Sequence, residues 1–240
     1  VYEEQPAARI PGGVIWTRDR EVAATAPVRV LPDGCMDLIW FDGTLLVAGP
    51  DTTAQLVSGG AGGAGGSYVG LRFAPGTAPA VLGVAAWELR DQRVPLQALW
   101  PGRRVRELTE RVNDATDRAA ALEALAAPFG ARADPHGDDV AAGVLWGLRR
   151  GLGVRELAGE LALSERQLRR RCLDAFGYGP KTLDRVLRLG RALEPARNGV
   201  PFAEVAARAG YADQAHLARE VRALAGVTLG RLLADEAARA

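Results

Sequence analysis

Apolar positions change their period once along this chain. In the first third they alternate with polar ones. Val69, Leu71 and Phe73 in SYVGLRFAP recur every second residue, which predicts a half-buried strand. VRVLP is a short β-branched run. MDLIWF and TLLVAG are apolar runs joined by Asp42-Gly43, a pair suited to the positive φ angles of a tight hairpin turn. The glycine-rich SGGAGGAGGS that follows reads as a flexible hairpin connection. It is not a phosphate loop, because no Gly-Lys-Ser/Thr closes it and no helix opens there.

From Pro75 the period becomes helical. GTAPAVLGVAAWEL predicts one helix. PLQALWPGRRVRELTERVNDATDRAAALEALAAPF predicts more, with Val105, Leu108 and Val112 at helical spacing. The Pro/Gly/Asp-rich stretch from Pro128 to Asp139 marks a boundary. Beyond it helices are predicted over 138–150, 154–161, 164–174, 180–196, 201–208 and 212–224. Their turns fall at Gly151–Gly153, Gly177–Gly179 and Asn198–Gly199, and Pro180 and Pro201 stand where a first helical turn tolerates proline. The expected plan is a domain over 1–130, a linker over 131–139 and an all-helical domain over 140–240.

The helical half contains a weak internal repeat. VRELAGELALSERQLRRRC resembles FAEVAARAGYADQAHLAREV: Ala158 matches Ala206, and Leu168, Arg170 and Cys172 match Leu217, Arg219 and Val221. Each copy is a short helix, a tight turn and a second helix, with small residues where two helices would cross closely. That pattern suits a helix-turn-helix, whose second helix enters the DNA major groove. Two ordinary helical hairpins would carry the same pattern.

Two stretches make the resemblance specific: LALSERQLRRRC…FGYGPKTL, and AARAGYADQAHLAREVRALAGVT. The half from about Asp138 to Leu233 is similar to the DNA-binding domain of the AraC/XylS family of bacterial transcription regulators. Aromatic residues usual in that family near Leu217, Val221 and Cys172 are missing here, as is a proline often found at Leu229. These are core or turn positions, so the departures bear on packing. The resemblance implies that the first recognition helix begins at Ser164, a residue that also suits an N-cap. It places Arg166, Arg169 and Arg170 toward the groove, then Gln214, Ala215 and Arg219, with Asp213 and His216 close by. The chemistry agrees: Arg bonds guanine O6 and N7, and Gln bonds adenine N6 and N7. His216 could equally touch phosphate or fill the first turn. Arg170 and Arg219 could instead pair with glutamates, while Arg171 and Arg185 read as phosphate contacts or solvated side chains.

Charge distribution supports that reading. The whole chain of 240 residues is formally only +1. Residues 1–136 hold 13 basic and 16 acidic side chains, and residues 137–240 hold 17 and 13, so the basic excess lies in the helical half. The two cysteines, Cys35 and Cys172, are far apart and fit a reducing cytosol. No apolar run is long enough to span a membrane, and VYEEQPAARIPGG has neither the basic start nor the apolar core of a signal peptide. A cytoplasmic protein is expected.

LPDGCMDLIW…VAGPDT…GLRFAPGTAPAVLGVAAWELRDQRVPLQALW resembles a poorly characterised sensor domain found ahead of some of these regulators. The resemblance implies a small, cupin-like β-barrel with helices, and hence an α+β chain overall. Residues 1–130 contain no histidine, which argues against a metal and against oxygenase chemistry. No Ser-His or Cys-His pair is visible either, so no catalytic residue and no cofactor is assigned. Cys35, Asp37, Trp40 and Arg72 are the candidate effector-sensing residues. Cys35 lies between two aspartates that would raise its pKa unless Arg72 intervenes, and it reads as a small buried hydrophobe or as a thiol sensor. Trp16, Trp40, Phe41, Phe73, Trp87 and Trp100 either line an effector pocket or form the barrel core. Together these observations predict a non-enzymatic, sequence-specific regulator that binds double-stranded DNA. A small-molecule effector or self-association as a homodimer would control it, and RNA polymerase is a further expected partner. The rivals are a cupin-like small-molecule enzyme or thiol-based sensor with a helical appendage, and an Ada-like repair protein using Cys35, for which the usual cysteine cluster is missing.

Overall fold

A computed structural model describes residues 2–19, 27–57, 67–130 and 135–238. Among them the first half is built on a six-stranded antiparallel sheet. Its strands are β1 (Tyr2–Pro6), β2 (Val14–Asp19), β4 (Met36–Phe41), β5 (Thr44–Ala48), β7 (Ser67–Phe73) and β8 (Arg93–Pro95), in the spatial order β1-β2-β7-β4-β5-β8. A separate ribbon pairs β3 (Val28–Val30) with β6 (Gln55–Val57).

The Asp42-Gly43 turn forms as expected, with φ of 45° and 75° at its two centres. Register then sorts the side chains. Leu38 stands between Leu71 and Val47, and Trp40 between Val69 and Leu45, and all six are buried. Helices α1 (Ala78–Leu82), α2 (Gly102–Asn113) and α3 (Arg118–Gly130) cover this face with Val81, Leu82, Val105, Val112, Leu122 and Leu125. Each such side chain removed from water contributes roughly 1.5–3 kcal/mol.

Two expectations for this half are corrected. GTAPAVLGVAAWEL is not one helix: α1 stops at Gly83, which adopts the left-handed conformation, and a 3-10 turn over Ala86–Leu89 follows an extended Ala85. The glycine-rich stretch 58–66 lies outside the described residues, but it does not join a hairpin, since β6 pairs with β3 while β7 pairs with β2 and β4. Of the expected linker 131–139, residues 131–134 lie outside the described residues. Pro128 is inside α3, and α4 (Pro135–Arg149) opens on a proline, which has no N–H to leave unsatisfied there.

The second half contains α5 (Val154–Glu160), α6 (Glu165–Phe176), α7 (Pro180–Arg197), α8 (Phe202–Ala209), α9 (Gln214–Ala225) and α10 (Leu229–Ala237). The last of these was not predicted. Two apolar cores share α7. Leu183 and Val186 pack with Leu157, Leu168, Cys172 and Phe176 of the α5–α6 unit. Leu189, Ala192 and Leu193 pack with Val205, Ala206, Leu217 and Val221 of the α8–α9 unit. One helix thus holds two helix pairs at a fixed spacing.

The two halves touch at the ends of α6 and α9. Gly177, which closes α6 at φ +81°, lies so near the first half that a Cβ there would stand 2.5 Å from Pro50 Cγ. Arg90 Nη1 donates to the Gly177 carbonyl at 3.4 Å. At α9, Arg29 Nη1 donates to the Ala225 carbonyl and the Ala54 N–H to the Leu224 carbonyl, each at 2.7 Å.

Candidate nucleic-acid interface

Each repeat is a helix, a tight turn and an outward-facing helix. In the first the turn passes through Ala162 at φ +52°, in the second through Gly210 at φ +80°. Ser164 caps α6: its Oγ accepts from the Gln167 N–H at 3.2 Å, and Gln167 Oε1 accepts from the Ser164 N–H at 2.9 Å. This reciprocal box satisfies two donors and immobilises Gln167. Asp213 caps α9, its carboxylate accepting from the His216 N–H at 2.6 Å.

Leu168, Cys172 and Phe176 face the core on α6, and Leu217, Val221, Leu224 and Ala225 do so on α9. At 100° per residue this turns Arg166 and Arg170 outward on α6, with Arg169 and Arg171 on the flanks; all four are exposed. On α9 the outermost line is Ala215, Arg219 and Ala223, again exposed. Arg170 and Arg219 therefore hold matching places, and among the described residues neither forms an ion pair. The alternative of an internal glutamate partner is not realised. Small alanines on both sides of Arg219 leave the α9 backbone open to close approach.

The candidates Asp213 and His216 have local partners as well. Besides the cap, His216 Nδ1 accepts from the Ala212 N–H at 3.3 Å, and the half-buried ring meets Tyr211 edge-on at 5.3 Å between centroids. These bonds lock the turn ahead of α9. Gln214 is exposed in the first turn. Arg222, exposed in the last turn and beside the outer line, did not stand out in the sequence, because the position matching it in the first repeat is Leu173.

Of the sensing candidates, three come together on the sheet face opposite the core. Arg72 stands directly across from Asp37. Its Nε lies 3.3 Å from Asp37 Oδ1 and 3.6 Å from Asp33 Oδ2, and its Nη1 lies 3.1 Å from Glu4 Oε1. Trp16, whose ring lies over Gly70, donates Nε1–H to Asp37 Oδ1 at 2.7 Å. Burial pushes the Asp37 carboxyl up to about 6 against the pull of Arg72. Burial also pushes the Cys35 thiol far up, and Asp33 and Asp37 add to the effect, so the thiolate that a sensor or methyl acceptor needs is disfavoured. Trp40 is on the other face: it is buried, and its Nε1–H reaches Asn113 Oδ1 at 2.7 Å. Trp16 takes the place that Trp40 was expected to fill. Among the described residues no group of His, Cys, Asp and Glu has the arrangement to hold a metal, and no helix is long and apolar enough to cross a membrane.

Residues 157–235, which contain both repeats and both outward helices, match the family model described as Helix-turn-helix domain. The second half is an AraC-type helix-turn-helix domain. Residues 13–95 match a second model, Domain of unknown function (DUF6597), whose span takes in the sheet strands β2 to β8 and the Asp37–Arg72 face. A crystal structure of ToxT from Vibrio cholerae has this fold: TM-score 0.51 and 11% identity, covering 92% of this chain and 97% of that one. The structure of unsaturated fatty acid bound wild-type ToxT from Vibrio cholerae strain SCE256 is similar at TM-score 0.50 and 11% identity, covering 92% and 94%. No curated protein matches the chain. A β-sheet domain ahead of an AraC-type helix-turn-helix domain makes this an α+β chain with the fold of the ToxT structure.

Proposed function

We propose that the AraC-type domain reads two separate patches of duplex DNA with α6 and α9, and that a small molecule or self-association acting on the first half modulates this binding. The observation that carries the reading is the pair of matching outward arginines, Arg170 and Arg219, on two helices mounted along one connector. That connector, α7, has 18 residues, or roughly 27 Å at 1.5 Å per residue. Added to the helix bodies at its ends, this suits the ~34 Å between successive major-groove faces. Arg166, Arg169 and Arg170 serve one patch, and Gln214 and Arg219 the other. Asp213 and His216 hold the turn that presents them. A cytoplasmic setting, and contact with RNA polymerase or with a second copy of the chain, fit this role.

The similar ToxT structure was solved with an unsaturated fatty acid. In this chain the Trp16–Asp37–Arg72 face, an indole beside a half-buried ion pair, is the place proposed for a small molecule. Three carboxylates already surround Arg72, so an acidic effector must displace one of them.

Selection of preferred sites from random duplex DNA tests the proposal, with wild type, Arg170→Ala and Arg219→Ala. Two patches about 10 base pairs apart are expected, each variant relaxing one patch at a cost of about 1–3 kcal/mol. A single contiguous site, or both variants relaxing the same patch, would overturn it.

A further inference from the structure

The contact between the β3–β6 ribbon and α9 is unlike the contact at α6. The ribbon has three residues per strand, and two such strands are marginal in water by themselves. It is built against α9. Arg29 points its guanidinium at the helix C-terminus and donates to the Ala225 carbonyl; the Ala54 N–H, one residue before β6, donates to the Leu224 carbonyl. Leu31, just past β3, packs into the α8–α9 core. The last four carbonyls of any helix lack partners within it, and their end of the dipole is negative. A cationic donor and an extended N–H strand therefore complete α9 from outside. The first unit is held differently: Pro50 and Ala86 stand close around Gly177, and Arg90 donates to its carbonyl.

We infer that Arg29 is a positioning residue for the second reading helix: the ribbon clamps the C-terminal end of α9 and sets how α9 is presented to DNA, independently of α6. The inference rests on the two-patch reading above. It makes the ribbon the element through which the first half adjusts one probe and leaves the other in place. The consequence is selective. Loss of the clamp frees the tilt of α9, so it blurs the patch that α9 reads and widens the tolerated spacing between patches.

Two readouts on the full chain decide this. Amide hydrogen exchange needs no DNA: in Arg29→Met, which keeps the stem and removes the donors, the Ala54 amide should exchange faster while amides of α6 keep their protection. Site selection from random DNA should show the α9 patch weakened roughly fivefold in Arg29→Met, the ratio that one net hydrogen bond sets, with the α6 patch unchanged and spacing variants better tolerated. Arg29→Lys, which keeps a cationic donor, should restore part of the preference and serves as the test if Arg29→Met fails to fold. Unchanged Ala54 exchange, or equal weakening of both patches, would overturn the clamp. If wild type itself selects no two-patch site, the functional reading fails, and Ala54 exchange alone then decides whether the clamp exists.

Discussion

Arg185 Nε lies 2.6 Å from Glu220 Oε2. The pair joins the connector α7 to the reading helix α9, so an arginine that read as a phosphate contact or a solvated side chain braces the second probe instead. Glu220 is only 20% exposed and Arg185 40%, so solvent screens the pair in part. Arg185→Ala should cost about 0.5–1 kcal/mol of stability. A double-mutant cycle with Glu220→Ala should return a coupling of that size; additive single effects would show the pair to be inert.

The caps predict a split between Asp213 and its neighbours. Removing the carboxylate in Asp213→Ala should lower stability by about 1 kcal/mol, whereas Asp213→Asn, which still accepts from the His216 N–H, should lose little. Ser164→Ala should cost about the same as Asp213→Ala. Denaturant titration of the three variants checks this. If Asp213→Asn kept stability but lost DNA affinity, Asp213 would be touching DNA directly.

Asp37 gives a pH dependence of definite sign. Its folded value of about 6 lies above the ~3.9 of an unfolded chain. Through roughly pH 4 to 6 the folded state binds more protons than the unfolded state, so the contribution of Asp37 falls as pH rises. The loss is bounded at roughly 2–3 kcal/mol. Asp37→Asn keeps an acceptor for Trp16 and should flatten the slope across that window. Unfolding free energies measured from pH 4 to 7 for both proteins would show it, and identical slopes would assign the dependence to other groups.

Salt should act strongly on DNA binding, because among the described residues the outer arginines of α6 and α9 have no ion-pair partners to leave. Log affinity should fall linearly with log salt, by several units of slope. Arg171→Ala, on the flank of α6, should reduce the slope by about one unit and weaken all sequences alike. An affinity indifferent to salt would contradict phosphate tracking.

Local signals were enough for much of this molecule. Periodicity, a D-G pair and proline and glycine stops placed β4, β5, β7 and most helices of the second half. These features act over a few residues, through φ preferences and burial of one face. The family resemblance placed Cys172, Leu217 and Val221 at core or turn positions and Arg170 and Arg219 toward the groove. Pairing over long sequence distances was not legible. Strands β1 and β8 have short or polar sequences and become strands only by hydrogen bonding to β2 and β5. Trp16 joins Asp37, and Trp40 leaves it, because strand register, not composition, decides which face a side chain takes. The same holds for Arg29 and Ala225, 196 residues apart. A helix end short of donors and a ribbon too short to stand alone are each visible locally, but only the tertiary fold brings one to complete the other.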